Sequence, residues 1–424
     1  MTAEQAPLLA RLHRARAQTD RLFELVHPDS LYERPIAERH RIVFYIGHLE
    51  AFDWNLLQPR LPRTPVFEAA LDRLFAFGID PVDGGLPSDQ PADWPALGSV
   101  HRYRDRVRTA LDASLAATRF DDWSGEEAPL TLLNVAIEHR LMHAETLSYM
   151  LHQLPIENKT HEPQVAVPES GSPRPESIRI PAGLAQLGLS RRDPDLFGWD
   201  NEYDAHTVEV PEFSIDRYKV TNRQYLEFLE AGGYQDRSLW TPQAWDWKAQ
   251  HGIEHPVFWK RVGRGWLYRT MFNEIPLLPD WPVYVSYSEA QAYAQWAGVR
   301  LPTEAEWHRA ALGVPEPAAQ HGFFDFERWD PYSVNAFPSG RSAFGVEGLL
   351  ANGWEWTSTA FGPFEGFQPF PFYRGYSADF FDGKHFVLKG GSTRTAGSML
   401  RPSFRNWFQP HYQYVYAGFR CART

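Results

Sequence analysis

Ile137-Glu138-His139-Arg140-Leu141-Met142-His143-Ala144-Glu145 is the stretch on which the fold of this 424-residue chain is read. It lies inside Leu130–Gln153, where apolar residues recur at helical spacing. His139 and His143 are four residues apart, so a helix stacks both imidazoles on one face about one turn apart, as a single metal ion requires. Leu141, Met142, Leu147 and Met150 make this helix apolar on several sides, where imidazoles without a partner would be costly. The plainer alternative is a pair of surface histidines. A third ligand has to come from elsewhere, and His48, in Tyr45-Ile46-Gly47-His48-Leu49-Glu50, is the leading candidate. It sits in a second apolar stripe, Arg41–Leu57, and bundles build metal sites from facing helices. Glu138 and Glu145 are candidate partners for the ring N–H groups, or simply exposed carboxylates. Three imidazoles and no thiolate suit Fe, Zn, Ni or Cu alike. His139 is not followed directly by Glu, which argues against a zinc protease.

Outward from that helix, Leu8, Leu9, Leu12, Leu22, Phe23 and Val26 repeat at helical spacing, and Val100–Ala117 gives a further helix. Four helices joined by loops predict an up-and-down bundle over residues 1–157. The loop from Gly78 to Gly98, rich in Pro, Gly and Asp, is long enough to be functional. Residues 158–176, rich in Pro, Ser and Glu, read as a linker. From 177 to 424 the texture changes to short β-like pieces (Ser177–Ile180, His206–Val210, Phe213–Asp216, Val387–Lys389) among Gly, Pro and Asn turns. Two helices stand out there, Asn222–Glu230 and Ser288–Ala297. The expected class is α+β in two domains.

Composition narrows the function. A net charge of −11 offers no basic face for nucleic acid. No apolar run approaches the roughly 20 residues that span a bilayer. The first residues lack the apolar core of a signal peptide, and a single cysteine, Cys421, excludes an internal disulfide. A cytoplasmic location is therefore expected. The 16 Trp, 18 Tyr and 28 Phe suit a pocket whose rings hold a cationic ligand.

Several segments resemble a known family. The His on the second helix and His-x-x-x-His on the fourth resemble the DinB-like four-helix bundle. Ile180-Pro181-Ala182-Gly183, Phe197-Gly198-Trp199-Asp200-Asn201-Glu202, Val220-Thr221-Asn222, Arg300-Leu301-Pro302-Thr303-Glu304-Ala305-Glu306-Trp307, Asn352-Gly353-Trp354-Glu355-Trp356-Thr357, Gly390-Gly391-Ser392 and Gly418-Phe419-Arg420-Cys421 resemble the C-type-lectin-like formylglycine-generating-enzyme (sulfatase-modifying-factor) domain. The two in this order resemble the ergothioneine sulfoxide synthases and their relatives, the selenoneine synthases. That resemblance implies Fe(II) on His48, His139 and His143, O2 as co-substrate, and hercynine (trimethylhistidine) bound near Met142. It makes Tyr373, in Tyr373-Arg374-Gly375-Tyr376-Ser377, the proton donor, with Tyr376 its companion, and places Asn406 and Trp407 beside hercynine. It also allows a structural Ca2+, for which no ligands are assigned. A formylglycine-generating activity would need two active-site cysteines. A DinB-type thiol transferase would leave the second domain without a role. A non-catalytic binding scaffold would hold no stoichiometric iron.

The departures bear on the chalcogen donor. Where enzymes taking γ-glutamylcysteine have an Asp after this tryptophan and an Arg four residues on, this chain has Phe408 and Tyr412. No basic residue lies between Gly78 and Gly98, so a dianionic dipeptide would find no bidentate partner. Rings that stack on sugar faces, and the Asp, Ser and Gln of the loop as hydroxyl acceptors, favour a neutral selenosugar, with free cysteine as the alternative.

Overall fold

The computed structural model describes residues 5–61, 68–77, 86–118, 127–193 and 196–424. The chain divides into two compact units, 1–162 and 163–424.

Among the described residues the first unit has five α-helices: α1 (Gln5–Glu24), α2 (Ile42–Leu57), α3 (Ala69–Phe77), α4 (Leu97–Ala117) and α5 (Pro129–Gln153). The four long ones follow the apolar periodicity. The short α3 is an addition to the expected four, so the helix bearing His139 and His143 is the fifth. Val26 lies beyond α1, in a bridge to Lys159. Helix α1 packs on α5, and α2 packs on α3, α4 and α5. Leu132, Leu133, Val135 and Leu147 of α5 are buried with Ile42, Val43 and Leu49 of α2 and with Val107 and Leu111 of α4. Ions are buried here too. Arg140, wholly inside, donates to Glu50 (3.0 Å), Asp53 (2.6 Å) and the Leu49 carbonyl (3.0 Å). Arg108 of α4 reaches both Glu50 (2.8 Å) and Asp20 of α1 (2.6 Å). Charges paired in this way fix the register of four helices.

In the second unit, residues 163–176 are irregular but strapped down. Gln164 bonds Asp330, Arg328 donates to the Val165 carbonyl, and Asn335 donates to that of Gly171 (2.6 Å). Then come β1 (Ser177–Ile180), β2 (Gly183–Leu187), β3 (His206–Val210), β4 (Phe213–Asp216), α6 (Asn222–Glu230), α7 (Pro242–Gln250), β5 (Trp259–Val262), β6 (Gly265–Arg269), β7 (Glu274–Pro276), α8 (Tyr287–Trp296) and α9 (Glu304–Ala310). The chain ends with β8 (Gly353–Ala360), α10 (Gly375–Ala378), β9 (Phe386–Gly391), β10 (Asn406–Phe408), β11 (Ala417–Gly418) and β12 (Ala422–Arg423). The central sheet has the order β10-β9-β8-β11, with β11 parallel to β8 and the rest antiparallel. Helices α7, α9 and α10 add to the two read from the sequence; α9 and α10 are too short to repeat an apolar pattern, and α7, as long as α6, buries Lys248 rather than an apolar stripe.

The family-like motifs turn out to be structural. Glu355 of β8, wholly buried, accepts from Arg420 (2.7 Å), Lys219 (3.0 Å) and the Trp307 indole (3.2 Å). Glu304, at the start of α9, pairs with Arg405 (3.0 Å) and Lys389 (3.6 Å). Glu306 and Thr303 close a capping box. Gly390 has φ +84, and a Cβ there would lie 2.3 Å from the Leu349 carbonyl, so the strand crosses only as glycine. Among the described residues no helix is long and apolar enough to cross a membrane.

Candidate functional site

In the first unit the ring nitrogens of His48, His139 and His143 lie within 4.8 Å of one another. Nε2 of His139 and Nε2 of His143 are 3.2 Å apart, and ring centroids in the trio are 4.5 to 5.4 Å apart. A cation bonded to imidazoles at about 2.1 Å sets nitrogens at right angles about 3 Å apart, so this pair fits adjacent coordination positions. Nδ1 of His48 donates to the Phe75 carbonyl (2.8 Å), which leaves Nε2 with its lone pair for a ligand bond. Nδ1 of His139 and of His143 are buried without a hydrogen-bond partner. The donor set therefore fits a divalent transition metal. Burial lowers His48 to about 4 against the pull of the Phe75 carbonyl, and burial also lowers His139 and His143 well below the ordinary value. All three are neutral, ligand-ready imidazoles.

Packing holds these rings. His139 lies flat on Phe52 (3.4 Å between centroids, 10°), and His48 stacks on Phe44 (4.6 Å, 26°). Gly47 lets α3 close: a Cβ there would come 2.4 Å from the Phe75 ring, pushing away the carbonyl that orients His48. Phe75 and α3 went unnoticed in the sequence; Gly47, directly before a candidate ligand, was the available signal. Met142 is half-buried beside His143. Glu138 and Glu145 are buried rather than exposed, and neither is in the converging set.

In the second unit, Tyr373, Tyr376 and Trp407 come together. Tyr373 and Tyr376 have ring centroids 5.4 Å apart, and the edge of Tyr376 meets Trp407 at 5.3 Å. Tyr376 also stacks on Trp199 (4.0 Å), and Phe361 covers one face of Trp407 (4.2 Å, 7°). Asn406 turns its Oδ1 onto the Trp407 amide (2.9 Å). Burial, then the charge of Asp200, raises the Tyr373 phenol, which keeps its proton at neutral pH.

The donor residues need revision. Phe408 and Tyr412 stack on each other (5.0 Å, 5°), so their inner faces are already used. Asp89, offered by the sequence as an acceptor for substrate hydroxyls, is buried and pairs with Arg34, Arg41 (2.8 Å) and the Trp94 indole (2.7 Å). Arg34 and Arg41 come from far up the chain and supply the basic partners that the loop itself lacks. Positions 78–85 of that loop, including Asp83, lie outside the described residues.

Comparison with known proteins places this architecture. Residues 11–147 match the DinB superfamily, and residues 163–424 match the sulfatase-modifying factor enzyme 1-like domain. The fold is thus a DinB-like helical unit followed by a sulfatase-modifying-factor domain. The chain is 36% identical to hercynine oxygenase of Mycolicibacterium smegmatis over 89% of each chain. It is 34% identical to hercynine oxygenase of Mycolicibacterium thermoresistibile, over 89% of this chain and 85% of that one. With ergothioneine biosynthesis protein 1 of Neurospora crassa it shares 27% identity, over 94% of this chain and 56% of the relative. This chain belongs to the hercynine oxygenase family, and it is an enzyme.

Proposed function

We propose that this enzyme joins a chalcogen to the imidazole C2 of hercynine in an Fe(II)- and O2-dependent reaction, with a selenosugar as donor. The observation that carries the proposal is the convergence of three neutral imidazole nitrogens within 4.8 Å. Membership of the hercynine oxygenase family supports hercynine as the substrate. Iron(II) held by His48, His139 and His143 would supply the one-electron chemistry through which O2 reacts with a closed-shell donor.

The balance is simple. The C2–H and Se–H hydrogens leave as water with one atom of O2, and the other atom oxidises the chalcogen. The C2–Se bond replaces the two bonds to hydrogen. Tyr373 holds its proton at neutral pH and gives it to the reduced oxygen. Trp407 turns a π face to the trimethylammonium. Phe408 and Tyr412, where relatives using γ-glutamylcysteine have Asp and Arg, support an uncharged donor. Their mutual stacking narrows the contact to outer faces and edges. Free cysteine is the second reading, since it lacks the second carboxylate for which Arg34 and Arg41, both engaged by Asp89, leave no partner.

The test is anaerobic loading with Fe(II), then hercynine and O2 with a selenosugar, cysteine or γ-glutamylcysteine in parallel, read by mass spectrometry. Coupling with the selenosugar alone is expected. Product from a thiol alone returns the enzyme to sulfur chemistry, and no product from any donor overturns the proposal.

A further inference from the structure

Outside the histidine trio, Asp200 is a buried carboxyl beside the tyrosine pair. Its carboxylate is wholly buried and has no cation in direct contact among the ion pairs of the described residues. Its Oδ1 accepts from the Ser377 hydroxyl, and its Oδ2 is buried with no hydrogen-bond partner among the described residues. Asn201 donates to the Ser377 oxygen from the other side (2.9 Å). Positions 370 and 377 bracket Tyr373 and Tyr376. Between them the chain turns tightly, Tyr373 N–H donating to the Phe370 carbonyl (3.1 Å) and Tyr376 N–H to that of Tyr373 (3.1 Å). The neighbouring Trp199 lies under the Tyr376 ring at 4.0 Å. One short segment, 199–201, thus grips the tyrosine turn at its Ser377 end and from beneath. The segment is itself anchored, because Glu202 is tied by Arg401 (2.5 Å) and Ser403 (2.7 Å).

We infer that Asp200 is a positioning residue, which acts through Ser377 to hold Tyr373 where it delivers its proton. This rests on the role proposed for Tyr373. The carboxylate works as an acceptor for Ser377 rather than as a counter-ion, since no basic side chain among the described residues touches it. Burial raises it to about 6 against the more distant charge of Arg191, and the role inferred for it is that of an acceptor, which a neutral amide can also fill. An amide of the same shape offers one oxygen to the same donor, whereas alanine offers none.

Two readouts test this. In metal-free protein, hydrogen exchange of the Tyr376 and Ser377 amides should quicken at least tenfold in Asp200→Ala and in the milder Ser377→Ala. Unchanged exchange in both would overturn the inference, whatever the enzyme proves to catalyse. In iron-loaded enzyme, Asp200→Ala should lower kcat at least tenfold while KM for hercynine and bound iron stay within twofold, and Asp200→Asn should keep at least half of kcat. An Asn variant as impaired as the Ala variant would mean that the charge matters, and would overturn it too. Added to Tyr373→Phe, Asp200→Ala should cost nothing further, because both act on one proton transfer; a full additive loss contradicts the inference. Full coupling in Tyr373→Phe alone would instead defeat the proposed role of that tyrosine, leaving the exchange result to decide whether the clasp exists.

Discussion

Helices α2 and α5 build two polar clusters from almost adjacent residues, and the clusters differ in what completes them. In one, Arg140 meets Glu50 and Asp53, and each charge has an opposite charge within 3.0 Å. In the other, one residue away on α5 and two away on α2, neutral nitrogens of His139, His143 and His48 lie within 4.8 Å of one another. Burying polar groups is tolerated when something answers them. The ionic cluster answers itself and is frame. The histidine cluster presents a donor set that fits a cation, and is the site we propose.

Removing one side of the ionic frame should have the largest effect. Arg140→Met leaves Asp53 and Glu50 buried against an apolar chain and should cost about 3–5 kcal/mol in urea unfolding. A cost below about 1 kcal/mol would make the cluster incidental. Acid should erode the same frame. The Glu50 carboxyl is lowered from 4.5 to about 2, chiefly by Arg140 and Arg108 against burial. Its stabilisation is therefore full above pH 4.5 and lost as the pH falls towards 2. Asp53 is raised by burial and works in the opposite sense, so the net loss should stay below that of Arg140→Met.

The histidine cluster should behave differently. Fe(II) at a hundred times its Kd should stabilise the wild type by about 2.7 kcal/mol. The same addition should leave His139→Ala unmoved, and an equal shift in that variant would place the metal elsewhere. A smaller effect, about 1–2 kcal/mol, is expected for Gly47→Ala, where overpacking against Phe75 outweighs the helical gain of alanine. Its signature would be weaker metal binding through a displaced His48, with the ionic frame intact; unchanged metal affinity would show that the Phe75 carbonyl is not needed.

What the sequence made legible follows the same division. The His139–His143 pair was readable because a helix repeats every 3.6 residues, and His48 followed from a second long helix facing it. Arg140, between the two histidines, was not read as buried, because its partners lie 87 and 90 residues away. Asp89 was misread for the same reason, since Arg34 and Arg41 are 55 and 48 residues distant. In the second unit, strands such as β1, β3 and β4 were readable as short β-like pieces between Gly, Pro and Asn turns, whereas α9 spans only about two turns and α7 buries no apolar stripe, so neither leaves a periodic trace. Their start signals, Thr241-Pro242 and the Thr303–Glu306 box, were present and are the better guide there. Tyr373 and Tyr376 were found by resemblance; the grip of Asp200 on their turn depends on residues 177 positions apart and emerges only in three dimensions.

The central claim is that three neutral imidazoles form an iron site. It is tested most directly by loading metal-free protein with Fe(II) under anaerobic conditions, removing excess metal by gel filtration, and measuring iron per chain. The account predicts one iron per chain in the wild type and less than about a tenth of that in His48→Ala, His139→Ala and His143→Ala. Iron absent from the wild type, or retained in all three variants, would contradict it.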